Sequence, residues 1–251
     1  MHPTRRLVGP IVLLATVAAW QLLWLRGLPE FVLSPVEVVR HFVEALVSGE
    51  LMPHVAASLV RSLPGFALGT ALGVGLGLLA GVARSFDQML NPVVFLTYPV
   101  PKIVMLPLFM LWFGIGDLSK VLIIALACFY PTFINAYYGA RTTPTILAWS
   151  ALNMGAGRRQ VFWKVVVPSA LPLIFAGVRV SLALSFILLF STEMINARSG
   201  LGFLIRQSES SLRFDLMYVS ILAIAILGYA SDRLLTLTRR RVLAWQDSGP
   251  R

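Results

Sequence analysis

Residues 143–177 read TPTILAWSALNMGAGRRQVFWKVVVPSALPLIFAG. They make up the longest basic segment between two apolar runs. Arg141, Arg158, Arg159 and Lys164 lie in or just before it, and no Asp or Glu stands between Asp117 and Glu193. A helical pattern around Trp149 to Met154 stops at Gly155-Ala156-Gly157, where glycines favour a helix end or a turn. Pro168 and Pro172 then punctuate the entry to the next apolar run. A cationic, glycine-broken loop between two membrane spans belongs on the cytoplasmic side. The spacing A-x-x-x-G-A, followed twelve residues later by P-x-x-x-P, is more specific than charge alone.

The chain as a whole supports the membrane setting. It has 251 residues, 57% of them hydrophobic and 13% charged, with a mean hydropathy of +0.80. A soluble domain carries about a quarter charged residues. The charge deficit and the long uncharged runs indicate an all-α integral membrane protein. Cys128 is the sole cysteine, so there is no intramolecular disulfide. His2, His41 and His54 are scattered and give no metal-ligand spacing. The net charge of +10 falls at the ends of apolar runs. Positive-inside topology explains it better than nucleic-acid binding.

About six spans follow from the runs. Leu7–Leu25 is the first, read as uncleaved because it is long enough to approach ~30 Å of hydrocarbon. Ser34-Pro35 with Glu37 signals a helix start with Ser34 as N-cap. Leu63–Ala83 is uncharged and carries Gly65, Gly69, Gly73, Gly77 and Gly81 at a period of four. Small residues so spaced let two helix backbones approach closely, for static packing or for sliding. Arg84–Asn91 reads as a short polar turn. The third span, Pro92–Phe113, is interrupted by Pro99, Pro101 and Pro107. Lys102 falls in that break. Its mid-membrane charge costs at least ~2.5 kcal/mol, so it either faces a translocation pathway, suiting an anion, or snorkels to an interface. Gly114–Lys120 is a tight turn, and Val121–Ala140 is the fourth span. The fifth, Leu171–Ser191, contains Arg179 and ends near Glu193. These two are ~21 Å apart along one helix, so each needs another partner. Glu193 either faces the pathway or caps a turn. Asn196–Asp215 is a polar loop, and Leu216–Leu235 is the sixth span. Gln246–Arg251 is a frayed end.

Six spans put both termini on one side. If that side is the cytoplasm, inside segments hold twelve Lys and Arg against Asp87, Asp232 and Asp247, while outside segments hold seven of each sign. The Lys and Arg bias therefore places both termini and the basic loop inside. No lysine follows a glycine, so the chain has no phosphate-binding G-x-x-x-x-G-K-[ST] loop, and no catalytic or metal-ligating cluster is visible.

The loop also carries a resemblance. Ala151, Gly155 and Ala156, then Pro168, Ala170, Leu171 and Pro172, then Gly177, Arg179 and Ser181 resemble the signature of binding-protein-dependent ABC importer permeases. The resemblance is nearest to the branch for nitrate, sulfonates and taurine. It extends from about Leu51 to Trp245 and takes in Pro107-Leu108, Trp112–Gly116, Ser119-Lys120, Glu193-Met194 and Gly200-Leu201-Gly202. It implies a type I (MetI-like) importer permease bundle. The organisation is then an N-terminal helix and extracytoplasmic segment over 1–60, a permease core over 61–240 with the coupling loop at 141–170, and a cytoplasmic tail over 241–251. It implies that Trp149, Ala151, Gly155, Ala156, Arg158, Arg159, Pro168 and Pro172 contact a separate cytosolic ATPase. Lys102, Pro107 and Glu193 would lie on the translocation pathway. That family has an acidic residue where Trp149 stands. ATP and Mg would bind the partner ATPase, and this chain no cofactor. An extracytoplasmic solute-binding protein, a second copy forming a homodimer and the lipid bilayer complete the expected partners. The place is the plasma membrane of a prokaryote. Two other readings of the residues are a stand-alone carrier or channel, which should show an internal repeat, and a membrane-embedded enzyme.

Overall fold

The computed structural model describes residues 4–29 and 31–245, with side chains from residue 8 onward. The arginines Arg5 and Arg6, as side chains, and the tail Gln246–Arg251 lie outside the described residues. Eleven α-helices and no strand occur among those described. Five helical segments are long and apolar enough to cross a bilayer: Val8–Leu25, Met52–Val82, Asp117–Arg141, Arg158–Asn196 and Phe214–Val242. The bent pair Arg84–Thr97 plus Lys102–Phe113, whose halves meet at 94°, is apolar enough to make a sixth when its two halves are taken as one broken span.

The first span is α1, Thr4–Leu25. It stands apart from the bundle and touches α11 (Phe214–Val242) through Trp20, whose ring lies 6.3 Å from that of Tyr218. α2, Pro35–Val47, starts as expected at Ser34. The Glu37 amide donates to the Ser34 hydroxyl at 3.2 Å, and the Ser34 amide donates back to the Glu37 carboxylate at 2.8 Å. That amide, with the hydroxyl second, holds the Glu37 carboxyl below its ordinary range. The cap is therefore intact near neutral pH and weakens as pH falls through the lowered value.

α3 runs from Met52 to Val82, straight through the boundary placed at 60/61. It packs on α6, Asp117–Arg141, along the glycine stripe. A Cβ added at Gly65 would meet the Val121 carbonyl at 2.8 Å, at Gly73 that of Phe129 at 2.7 Å, and at Gly81 that of Tyr137 at 2.8 Å. Gly69 and Gly77 face the carbonyls of Ala125 and Phe133 in the same way. The five facing carbonyls also recur every four residues, so the two helices stay in step for the length of the stripe. α6 receives a second helix on its other side, α9, Val167–Asn196. There a Cβ on Gly177 would meet Asn135 Cβ at 2.7 Å and the Pro131 carbonyl at 2.8 Å, and one on Gly139 would meet Ala170 at 3.0 Å. α6 is thus the axis of the molecule. Of its most apolar stretch 61% is buried, against 33% for α3, 22% for α11 and none for α1.

Four readings of the sequence are corrected here. Arg84–Asn91 is no turn but the first half of α4, Arg84–Thr97, held to the end of α6 by an Asp87–Arg141 ion pair at 2.7 Å. Pro107 does not break the third span. It sits in the first turn of α5, Leu106–Phe113, where a missing N–H costs nothing, and the bend belongs to the segment with Pro99 and Pro101. Pro168 and Pro172 do not interrupt their span either. α8 (Arg158–Val161), a π turn over Phe162–Val166 and α9 form one 39-residue helical run. The wide turn closes by a hydrogen bond from the Val167 amide to the Phe162 carbonyl, which makes room just before Pro168. The segment Asn196–Asp215 contains α10, Leu201–Ser210, with Leu201, Leu204, Ile205 and Ser208 buried.

The stripe generates a paired expectation. Gly73→Val drives a branched side chain into backbone and should destabilise the detergent-solubilised chain by ~1–3 kcal/mol. Gly75, in the same helix with nothing within 4 Å of an added Cβ, should accept Ala with no loss. Thermal unfolding of the two variants beside the parent chain checks it.

Candidate functional site

Three constellations hold the residues singled out in the sequence, and they lie at different depths. At one end is α7, Thr145–Asn153, which contributes no buried residue. Its stop is a Schellman motif. The Ala156 amide donates to the Ala151 carbonyl at 3.0 Å and the Gly155 amide to that of Leu152 at 2.9 Å. Gly155 has φ +86°, which an L side chain rarely adopts. The A-x-x-x-G-A spacing is therefore the two ends of one hydrogen bond plus the glycine between them. Trp149 is 65% exposed and Met154 81%, and Ile146, Leu147 and Leu152 are exposed with them. Arg158 and Arg159 stand exposed in α8. The Gly157 amide donates to the Gln160 side chain at 2.9 Å and so caps that turn. Pro168 and Pro172 lie farther on, inside the bundle end of α9.

Mid-depth lies Lys102. Its ammonium lies 4.0 Å from the centre of the Tyr130 ring. Tyr130 is thirteen residues from Asp117 and eleven from Arg141, about 20 Å and 16 Å along α6. The ammonium donates to the carbonyls of Thr97, Tyr98 and Val100 at 2.8, 3.0 and 2.7 Å. Its three donors are spent on the cut end of α4, where carbonyls lack helical partners and a cation is favoured. As placed, Lys102 closes the broken helix and offers no free donor to an anion. Pro107 is exposed nearby at the start of α5.

At the far end Glu193 is 0% exposed and is the acceptor of a buried network. Arg61 Nη1 donates to it at 2.7 Å, the Ser58 hydroxyl lies 2.9 Å from both oxygens, and the Gly202 amide donates at 2.9 Å. The Leu201 amide donates to the Ser58 hydroxyl at 2.9 Å, so the N-terminus of α10 faces the carboxylate. Gly200, at φ +117°, leaves room that any Cβ would take from the carboxyl group. Arg61 also donates to Asp117 at 2.6 Å and to the Ser199 carbonyl at 2.6 Å. Glu193 thus ties α3, α6, α9 and α10 together rather than lining an open cavity of this chain. Arg61, Ser58 and Asp117 were not singled out in the sequence. A signal was there, because Arg61 precedes Gly65 by four and continues the stripe onto a buried face. Arg179, the other charge needing a partner, pairs with Asp232 of α11 in a bidentate contact at 2.7 and 3.0 Å.

Among the described residues no group of three or more His, Cys, Asp or Glu side chains is arranged to hold a metal ion. Cys128 is buried and its thiol approaches the Ser181 carbonyl at 3.3 Å. A groove of about 790 Å³ between α3 and the π turn and α9 is apolar. Its one hydroxyl, Thr70, donates to the Phe66 carbonyl of its own helix, which leaves the Trp163 indole as the one other side-chain donor in its lining.

Comparison with known proteins agrees with this architecture. Residues 73–244 match the profile of the family described as binding-protein-dependent transport system inner membrane component. The chain is 32% identical to the taurine transport system permease protein of Escherichia coli (strain K12), over 95% of this chain and 88% of that one. It is 33% identical to a Bacillus subtilis (strain 168) permease protein named for aliphatic sulfonates transport, over 92% and 85%. It is 35% identical to the riboflavin transport system permease protein of Chloroflexus aurantiacus, over 95% and 90%. Its fold is similar to that of a chain from the inward-facing MetNI methionine ABC transporter, with a TM-score of 0.64 at 20% identity over 76% of this chain and 95% of that one.

The buried network predicts an asymmetry. Arg61→Met leaves Glu193 without a counter-charge and should cost ~3–5 kcal/mol. Glu193→Gln should cost less, because Arg61 keeps Asp117 and the Gly202 amide keeps an acceptor. Unfolding midpoints of both variants in detergent read the order.

Proposed function

This chain belongs to the binding-protein-dependent transport system inner membrane components and is the permease of an ABC importer, and on that premise we propose which way it faces, what drives it and what it carries. Both termini and α7 face the cytoplasm. The twelve-to-seven bias of Lys and Arg supports this orientation. The network at Glu193 then lies at the extracytoplasmic end, toward a solute-binding protein.

The observation that carries the drive is α7 itself. A nine-residue helix with no buried residue, stopped by Gly155, leaves Ile146, Trp149, Leu152 and, just past its end, Met154 exposed among the described residues. Exposed apolar anchors on a short helix are what a groove on another protein takes up. The partner is a separate cytosolic ATPase, which binds ATP and Mg. Trp149 supplies aromatic contact area where the resemblance implies a carboxylate. Arg158 and Arg159 add charge at the rim. Closing of the ATPases pushes α7, and the push enters one helical run from Arg158 to Asn196. That run of 39 residues, about 58 Å, reaches the Glu193 network at the other end. A rigid element joining both ends gives the alternation of access its lever. Two copies of the chain form the pathway between them, in the plasma membrane of a prokaryote.

The solute is a small sulfonate, such as the zwitterion taurine, with nitrate as the inorganic counterpart. The taurine and sulfonate relatives support this, while the riboflavin relative marks how far solutes diverge at similar identity. The solute-binding protein makes the selection, because the bundle offers Lys102 only with its donors engaged.

The experiment is co-purification with the cognate cytosolic ATPase. Trp149→Ala and Leu152→Asp should each lower the retained ATPase about tenfold or more, the loss expected for an interface anchor, with unchanged unfolding midpoints. Equal retention by both variants, or solute uptake into vesicles by the chain alone, would defeat the reading.

A further inference from the structure

A crevice of about 640 Å³ opens between α9 and α11, where the two helices diverge. Its walls are apolar along most of their length, with Phe175, Val180 and Phe186 on α9 and Ile224 on α11. Its polar groups are the Arg179–Asp232 pair, about halfway between Ile224 and Arg239 along α11, and Arg239 at one end. Arg179 and Asp232 neutralise each other in their bidentate pair. Arg239 makes no side-chain hydrogen bond or ion pair within the described residues, so the crevice end carries a net positive charge.

The dimensions match one half of a bilayer. Ile224 to Arg239 spans fifteen residues of α11, about 22 Å. α11 is 29 residues long, so the crevice runs from near its end to about its middle. A hydrocarbon leaflet is about 15 Å deep with its headgroups beyond. Walls of a leaflet's depth, apolar but for one neutralised ion pair partway, and ending in an unpaired guanidinium at headgroup level, suit one kind of occupant. We propose that this crevice holds an anionic phospholipid, with its phosphate on Arg239 and an acyl chain against Val180, Phe186 and Ile224. Arg is suited to phosphate because its planar fork presents paired donors. Basic pockets between spans are known places for anionic headgroups. The lipid fills the gap between α9, the long run joined to α7, and α11, so it seats the moving element against the last span. On the orientation proposed above it comes from the cytoplasmic leaflet. The inference needs only that the chain spans the bilayer, so its failure would leave the reading of α7 untouched.

Two substitutions separate charge from shape. A Cβ built on Gly228, which lines the crevice, meets nothing within 4 Å, so a side chain there starts in open space and Gly228→Leu occupies the crevice. Arg239→Gln removes the charge, and Arg240→Gln, outside the crevice lining, is the control. The full chain in neutral detergent is titrated with phosphatidylglycerol or phosphatidylcholine and followed by native mass spectrometry. The parent chain should retain phosphatidylglycerol in preference, Arg239→Gln should bind it about fivefold more weakly, Gly228→Leu should lose it, and Arg240→Gln should match the parent. Equal binding by Arg239→Gln, or equal weakening by Arg240→Gln, overturns the site in favour of a diffuse basic surface. A disulfide between copies through Val180→Cys or Gly228→Cys, formed in place of bound lipid, overturns it in favour of a second copy in the crevice.

Discussion

Backbone meeting backbone across α3 and α6 is the contact on which the rest of the molecule depends. In a bilayer, water does not drive spans together, so association rests on close van der Waals fit and on polar groups that find partners. Five glycines remove the side chains from one face of α3, and five carbonyls of α6 occupy the space. α6 is then held between two close-packed helices, because Gly139 and Gly177 bring α9 just as near on the other face. Every feature with a candidate function hangs from this three-helix core. α7 leaves from the end of α6 and returns into α9, Lys102 leans on the Tyr130 ring of α6, and Glu193 meets Arg61 where α3 begins.

Much of this was legible in the sequence, and for identifiable reasons. The stripe announces itself because glycine is rare at a strict period. The stop of α7 is legible because glycine is the residue best suited to φ +86°. Ser34 with Pro35 and Glu37 fixes the start of α2 by itself. What was not legible depends on three-dimensional partners. Arg61 looks like a loop charge until the stripe is extended back by one step. α10 hides because Arg206, Gln207 and Glu209 sit among its apolar positions and dilute the pattern that Leu201, Leu204 and Ile205 make. Pro168 was read as a boundary because a proline inside a helix removes a hydrogen bond, yet one wide turn ahead of it absorbs that loss.

Lys102 shows why residue type alone does not settle a role. A lysine in a proline-broken span invites an ionic reading. The geometry assigns its donors to the orphan carbonyls that the break creates, so charge and break account for each other. The same logic covers Glu193, whose burial beside two glycines and an arginine makes it a junction of four helices. The readings as a stand-alone carrier or as an embedded enzyme give way to the family match.

The stripe and the Glu193 network share one helix, and this couples them through its length. Between Arg61 and Gly81 the chain advances twenty residues in steps of four. One residue inserted anywhere in that interval would turn everything before it by about 100° relative to everything after it. Arg61 would then swing away from Glu193, or the glycines would swing away from α6. The interval therefore tolerates exchange of its outward side chains but neither insertion nor deletion, and its residue count is as much a part of the fold as any contact within it.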